Sequence, residues 1–350
     1  MSNYLDSAKT NHSINLGYYY LMDSYSTQEN NLKMEGRIKG FYGSGQYNIV
    51  GGIDNYHHQS SIDSSDNTII NLSPEYISEG NKWKARLGAN VFADFYNQNK
   101  FYFYPNIYGQ YNIVEDILIP YIGLEGRLKK NSYKTLSNLN PFILSTAILQ
   151  NSDYSYQLYG GVRGSLSSSI SFNTKITYNR INSMPFFINN LTSQYNTFAV
   201  VYDDVNLLNV HGELGYQKLE KLRVSLKGDY YHYEMTNEKQ PWHTPKFSFA
   251  LAANYNISDK IIAKADVFII GKQPVTDHQS IVDIHGISTS TQYIKELDGI
   301  VDINLGGEYR YTKRLSAFIN FNNLGVFRYS RWNNYPSQSF NFLAGLSYAF

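Results

Sequence analysis

The chain of 350 residues contains no cysteine. Disulfides, thiolate zinc sites and cysteine nucleophiles are therefore excluded. It also lacks an uninterrupted apolar run of the roughly eighteen residues that a membrane-crossing helix needs. Mean hydropathy is −0.40, and a helical membrane protein is excluded. Charge of one sign is missing too: Lys and Arg number 30 against 29 Asp and Glu, a formal net charge of +1. That provides no bulk positive field to hold nucleic acid. Gly-x-Ser-x-Gly, P-loop and His-Glu-x-x-His patterns do not occur, so no motif speaks for an enzyme. No stretch implies a cofactor. The opening Met1-Ser2-Asn3-Tyr4-Leu5-Asp6 is too polar for a secretory signal peptide. An exported protein beginning this way is expected to be a mature or truncated form.

What the chain has in abundance is aromatic residues, with 33 Tyr and 19 Phe, and these favour strands and membrane interfaces. Runs of about ten residues alternate between apolar and polar, the period of a strand with two unlike faces. Lys84, Arg86, Asn90 and Asp94 interleave with Trp83, Ala85, Leu87, Ala89, Val91 and Ala93. Arg223, Ser225, Lys227 and Asp229 interleave with Leu222, Val224, Leu226 and Gly228. Short turns, such as Tyr42-Gly43-Ser44-Gly45, Val114-Glu115-Asp116 and Ile257-Ser258-Asp259-Lys260, alternate with long connections. The longest connections lie near 130–154, 182–204, 272–295 and 324–337. Outer-membrane barrels have this asymmetry, with short periplasmic turns and longer external loops.

The expected fold is therefore all-β: a transmembrane, antiparallel, up-and-down β-barrel of roughly 16 strands, with 14 as the lower count. Residues 1–350 form one domain in this reading. Asn196–Tyr202 also has strand character, and the count places it in an external loop hairpin. Aromatics fall at two heights. Tyr18, Tyr19, Tyr20, Tyr102, Tyr104, Tyr156, Tyr178, Tyr230, Tyr231 and Tyr233 sit near long-loop ends, and Tyr42, Tyr111, Tyr255, Tyr309, Tyr311 and Tyr348 near short-turn ends. Two interface girdles are expected.

The polar faces are expected to line the lumen. They carry Arg37, Lys39, Lys84, Arg86, Glu125, Arg127, Arg163, Lys175, Arg223, Lys227, Asp229, Asp302, Glu308 and Arg310. Such a set fits either a cross-strand ion-pair mesh that stiffens a wet wall or an eyelet selective for anions. The histidines are scattered: His57 and His58 point to opposite faces, and His278 and His285 lack metal-ligand spacing. Asp203-Asp204 lacks a twelve-residue calcium pattern. The loop aromatics Phe186, Phe187, Trp242, Phe327, Tyr329 and Trp332 suit either packing between loops or contact with a glycan or partner.

The chain ends on an amphipathic strand. Phe340, Phe342, Ala344, Leu346, Tyr348 and Phe350 fall on one face, and Ser339, Asn341, Leu343, Gly345, Ser347 and Ala349 on the other. This segment is expected to close the barrel by pairing with the first strand near Ser13–Tyr20. Ala317-Phe318-Ile319-Asn320-Phe321-Asn322-Asn323-Leu324, Arg331-Trp332-Asn333-Asn334-Tyr335-Pro336 and Phe340–Phe350 together resemble the end of TonB-dependent-receptor-like outer-membrane barrels of Bacteroidota. Gly345, Tyr348 and Phe350 match the C-terminal assembly signal of such barrels, whereas Leu343 departs from it. The resemblance implies a Gram-negative outer membrane, surrounding lipid and the barrel-assembly machinery as partners. No stretch resembles the plug domain of the full receptors, so a plugless, receptor-like barrel is expected. Its expected function is of the transport class, as a receptor or a passive pore for small solutes. The alternative is a structural subunit of an outer-membrane complex that contacts other outer-membrane proteins or lipoproteins.

Overall fold

The computed structural model describes residues 10–25, 27–62, 64–96, 98–114, 117–190, 196–258, 260–282 and 288–350. The polar opening Met1–Asp6, turn residues Glu115, Asp116 and Asp259, and His285 lie outside these. From the first edge run β1 (Asn11–Met22), β2 (Gln28–Tyr42), β3 (Gly45–Gln59), β4 (Ser64–Glu79), β5 (Trp83–Asp94), β6 (Lys100–Tyr111) and β7 (Ile119–Lys129). Helix α1 (Tyr133–Leu139) follows, then β8 (Ser152–Ser167), β9 (Ile170–Asn189), β10 (Phe198–Lys218), β11 (Leu222–Met235), β12 (Phe247–Asn256) and β13 (Ile261–Ile270). The remaining strands are β14 (Gln273–Val282), β15 (Ser288–Leu297), β16 (Ile300–Arg310), β17 (Leu315–Asn322), β18 (Ser330–Trp332), β19 (Tyr335–Pro336) and β20 (Asn341–Tyr348).

Sixteen of these strands form one antiparallel sheet in chain order, from β1 through β13 and on through β16, β17 and β20. This is the expected up-and-down fold and strand number. The side chains sort by strand parity. In β11, Leu226 is paired with Leu214 and Leu251 on the apolar face, and its neighbour Lys227 with Glu213 and Ala250 on the other. Most wall strands reach or exceed the nine to eleven residues that cross a bilayer at a tilt. β9 and β10 run on for 20 and 21 residues. Their upper halves pair Phe198↔Asn189 through Tyr202↔Pro185, so Phe198–Tyr202 continues a wall strand above the sheet. The connection near 272–295 is likewise its own hairpin, β14 with β15.

Two expectations are corrected. β20 pairs with β17, and β1 with β2. Among the described residues no ladder joins β1 to β20, so the sheet keeps two unpaired edges. The long-loop aromatic girdle is also thinner than expected, because alternation cannot place consecutive tyrosines on one face. Tyr18 and Tyr20 are outward and exposed, whereas Tyr19 donates from the inner face to Glu29. Tyr104 is buried, and Tyr102 shares its face across the ladder with Phe92. Near the short turns Tyr42, Tyr111, Tyr255, Tyr309, Tyr311 and Tyr348 are all exposed.

Candidate functional site

Strand registers place every charged residue expected to line the lumen on one face of the sheet, apart from Arg127. Lys84 and Arg86 belong to β5, Glu125 to β7, Arg163 to β8 and Lys175 to β9. Lys227 and Asp229 stand opposite Glu213 and His211, and Asp302 and Glu308 opposite Phe268 and Ile262. Around Arg127 the wall is irregular. The β6–β7 ladder ends at Asn106↔Glu125, and a register shift follows between Glu125 and Arg127. Beyond it Leu128 packs with Ile69 and Tyr104, while Arg127 lies over the Tyr154 ring with Cζ 5.0 Å from its centroid. Arg127 thus stands apart from the charged mesh.

That mesh is real. Arg86 lies 3.6 Å from Glu125, Lys227 3.2 Å from Glu213, His211 2.9 Å from Asp229 and Arg310 3.1 Å from Glu308. Exposed pairs of this kind are individually weak, up to about 1 kcal/mol; Lys227–Glu213 and His211–Asp229 join neighbouring strands, Arg86–Glu125 reaches from β5 to β7, and Arg310–Glu308 lies within β16. Among the described residues Lys39, Arg163, Lys175 and Arg223 have no carboxylate within ion-pair distance.

At the long-loop end the connections fold together into a cap. Its centre is an apolar cluster of Tyr56, Tyr133, Leu136, Ile143, Phe187, Phe198 and Val200, with Phe142, Trp332 and Tyr335 against it. Leu136 and Phe198 are wholly buried. Tyr56 belongs to the inner face, so the loop carrying α1 descends onto the wall. Ser132 caps α1 and exchanges hydrogen bonds with Thr135. The loop then runs beside β10, where Leu144 N–H donates to Phe198 O and Phe198 N–H to Phe142 O.

Carboxylates latch this loop to the wall. Glu29 is fully buried and accepts from Tyr133 N–H at 2.6 Å, Lys134 N–H at 3.2 Å and Tyr19 O–H at 2.6 Å. A negative group at the start of a helix also meets the positive end of its dipole. Lys130 pairs with Asp54 at 2.5 Å, and Asn151 donates to Asp94 at 2.9 Å. Asp23 accepts from Ser145, Thr27, Tyr25 and Tyr133. Burial alone would raise its carboxyl pKa, but these donors outweigh burial and hold it below the ordinary value.

A second knot joins the other loops. His243 Nδ1–H donates to Phe187 O at 2.8 Å, and its Nε2 accepts from Asn333 N–H at 3.4 Å. The ring packs edge-on against Phe198 and lies beside Trp332. Burial lowers the His243 pKa to about 4, even though the Phe187 carbonyl opposes the shift. Asn333 Nδ2–H donates to Asn189 Oδ1 and Thr276 O. Asp203 gathers the N–H groups of Thr236, Asn237 and Glu238 at 2.9–3.1 Å, fixing the connection after β11. Tyr329 donates to Asp302 on the wall at 2.6 Å. Phe186 and Phe187 on the upper part of β9 and Trp242 in the connection after β11 are buried in the apolar clusters, so for them the packing role is the observed one. Phe327 stays exposed. Among the described residues no group of His, Asp and Glu is placed to hold a metal ion.

No protein-family model matches this chain. No curated protein matches it either. Solved structures do match. The pyoverdine outer membrane receptor FpvA of Pseudomonas aeruginosa PAO1 is similar at 12% identity and TM-score 0.66, over 97% of this chain and 58% of that one. The iron transporter FrpB of Neisseria meningitidis is similar at 8% identity and TM-score 0.67, over 97% and 59%. The copper transporter OprC is similar at 10% identity and TM-score 0.64, over 97% and 61%. The chain shares the β-barrel fold of these outer-membrane receptors and transporters. It spans little more than half the length of these structures.

Proposed function

We propose that this outer-membrane transport-class barrel works as a capped, receptor-like transporter and not as a standing pore. The carrying observation is the loop bearing α1, which is latched onto the inner face through Glu29 and Asp54 and sealed by the Phe198 cluster. A solute arriving from the long-loop side meets this cap before it meets the charged wall. In this reading the long loops face the exterior and the short turns the periplasm. Outer-membrane lipid covers the apolar face, and Gly345, Tyr348 and Phe350 serve as the signal read by the assembly machinery. Reconstitution in a planar bilayer tests the cap. The wild-type protein should show no steady large conductance, and a persistent open channel would overturn the reading.

The two unpaired edges favour a second reading, a structural subunit of a larger outer-membrane assembly. Unpaired strand edges are templates for pairing with another chain. Extraction in mild detergent separates the two: a scaffold should emerge with stoichiometric companions, and a barrel that always runs alone would sink that role.

A further inference from the structure

The mesh pairs many charges of the inner face, but Lys39, Arg163, Lys175 and Arg223 stand outside it among the described residues, and Arg163 borders a cavity. At the short-turn end, opposite the cap, the wall forms a cavity of about 650 Å³, within the size range of small-solute sites. Arg163 and Lys84 face it from two sides, with Gln110, Asn81 and Asn112 between them and Trp83 at the rim. Lys84 is balanced by Glu79 at 3.1 Å. Arg163 has no carboxylate within ion-pair distance among the described residues, yet it is held in place. Its Nη2 donates to Gln110 Oε1 at 2.6 Å, and Cζ lies 5.7 Å from the Tyr121 ring centroid.

That stack is itself built into the wall. Tyr121 lies flat over Gly161, where a Cβ would collide with its ring and hydroxyl. Its hydroxyl donates to Asn173 at 2.8 Å. Tyr108 donates to the same Gln110 oxygen at 2.7 Å, which fixes the acceptor that orients the guanidinium. A guanidinium stacked on an aromatic ring and tied at one nitrogen keeps further N–H donors in a planar fork that suits a carboxylate.

We propose that this cavity binds a sugar acid, with the carboxylate on Arg163 and the hydroxyls on Lys84 and the flanking amides. The net positive lining selects the anion. The flanking amides of Gln110, Asn81 and Asn112 suit a polyhydroxylated body better than an apolar one. The site deepens the transporter reading and rests on it, because it lies where a solute that has passed the cap meets the inner face last.

The test is calorimetric titration of the whole chain in detergent, with digalacturonate as probe and maltose as its neutral counterpart. Digalacturonate should bind saturably and maltose should not. Arg163→Gln and, separately, Lys84→Gln should each weaken digalacturonate about tenfold, the loss of one charge-assisted contact. Arg37→Gln, on the same face but outside the cavity, should leave it unchanged. Equal binding of both sugars, no saturable binding, indifference to Arg163→Gln and Lys84→Gln in heat-modifiable, folded barrels, or an equal loss in Arg37→Gln would each overturn the site. Bilayer recordings keep the two readings apart. A closed wild-type barrel without digalacturonate binding overturns this site alone. An open channel with Arg163-dependent binding overturns the capped reading and supports the site.

Discussion

Glu29→Ala is the most direct perturbation of the cap. The carboxylate is fully buried and takes three donors: two N–H groups at the start of α1 and the Tyr19 hydroxyl. The substitution leaves those donors without a partner in a dry site and removes the charge that faces the helix dipole. Each stranded buried donor costs about 1–3 kcal/mol, partly offset where water enters the space. A net weakening of loop docking of about 3–4 kcal/mol follows. At about 1.4 kcal/mol per tenfold, the undocked population rises by roughly 10²–10³. In single-molecule bilayer recordings the variant should show frequent opening events where wild type shows almost none. Hydrogen exchange should show loss of protection at Tyr133–Leu139 while the wall strands stay protected. Glu29→Gln, which keeps the shape and one acceptor, should fall between the two. A Glu29→Ala protein as closed as wild type, with α1 still protected, would refute the latch.

Three further predictions bear on the loops and the wall. His243 carries a proton in the free loop below its ordinary pKa of 6.5 but resists protonation in the docked cap until about pH 4. Docking is therefore fully stable above about pH 6.5 and loses up to about 3 kcal/mol as pH falls to 4. Acid-induced opening between those limits, abolished in His243→Gln, checks it; a pH-independent cap would contradict it. Asp203→Asn exchanges one acceptor oxygen for a donor among the N–H groups of residues 236–238 and should loosen that connection by about 1–3 kcal/mol, visible as faster proteolysis there with the sheet intact. Leu226→Arg places a charge on the apolar face and should cost about 2–4 kcal/mol in lipid vesicles, whereas Ser225→Arg, one residue away on the charged face, should cost far less. Equal costs from urea unfolding would mean that the faces are reversed.

Strand alternation is a local property, and that is why the wall was readable residue by residue. Leu226 and Lys227 declare opposite faces by parity alone, and long-range folding cannot change that without a bulge. Arg127 shows the limit: the register shift beside it, not its own identity, decides what it touches. The cap was not legible for a related reason. Phe198, Trp332 and His243 meet from three connections far apart in the chain, and no local pattern announces a non-local cluster. Helix α1 had one readable signal, Ser132 followed three residues later by Thr135, a variant of the capping box. It is too short to show a helical period. The closing role expected of β20 rested on a sound rule, that barrels abolish edges, applied to a sheet whose edges do not meet.

The near-zero net charge conceals how the inner face is organised. The carboxylates toward the long-loop end are engaged by the cap: Glu29 by α1, Asp54 by Lys130, Asp94 by Asn151 and Asp302 by Tyr329. Toward the short turns, Lys39, Arg163 and Arg223 have no carboxylate partner among the described residues. A chain balanced at +1 thus becomes a wall whose acids near the long loops hold the lid, while three cations near the short turns have no carboxylate partner among the described residues. If the lid is released, as in Glu29→Ala, Asp54 and Asp94 return to the lumen and weaken the positive field below them. Opening the cap should therefore lower anion preference as well as raise conductance. Reversal potentials across a salt gradient would show it, and a Glu29→Ala channel whose anion preference did not rise on a further Asp54→Asn substitution would contradict this division of charge.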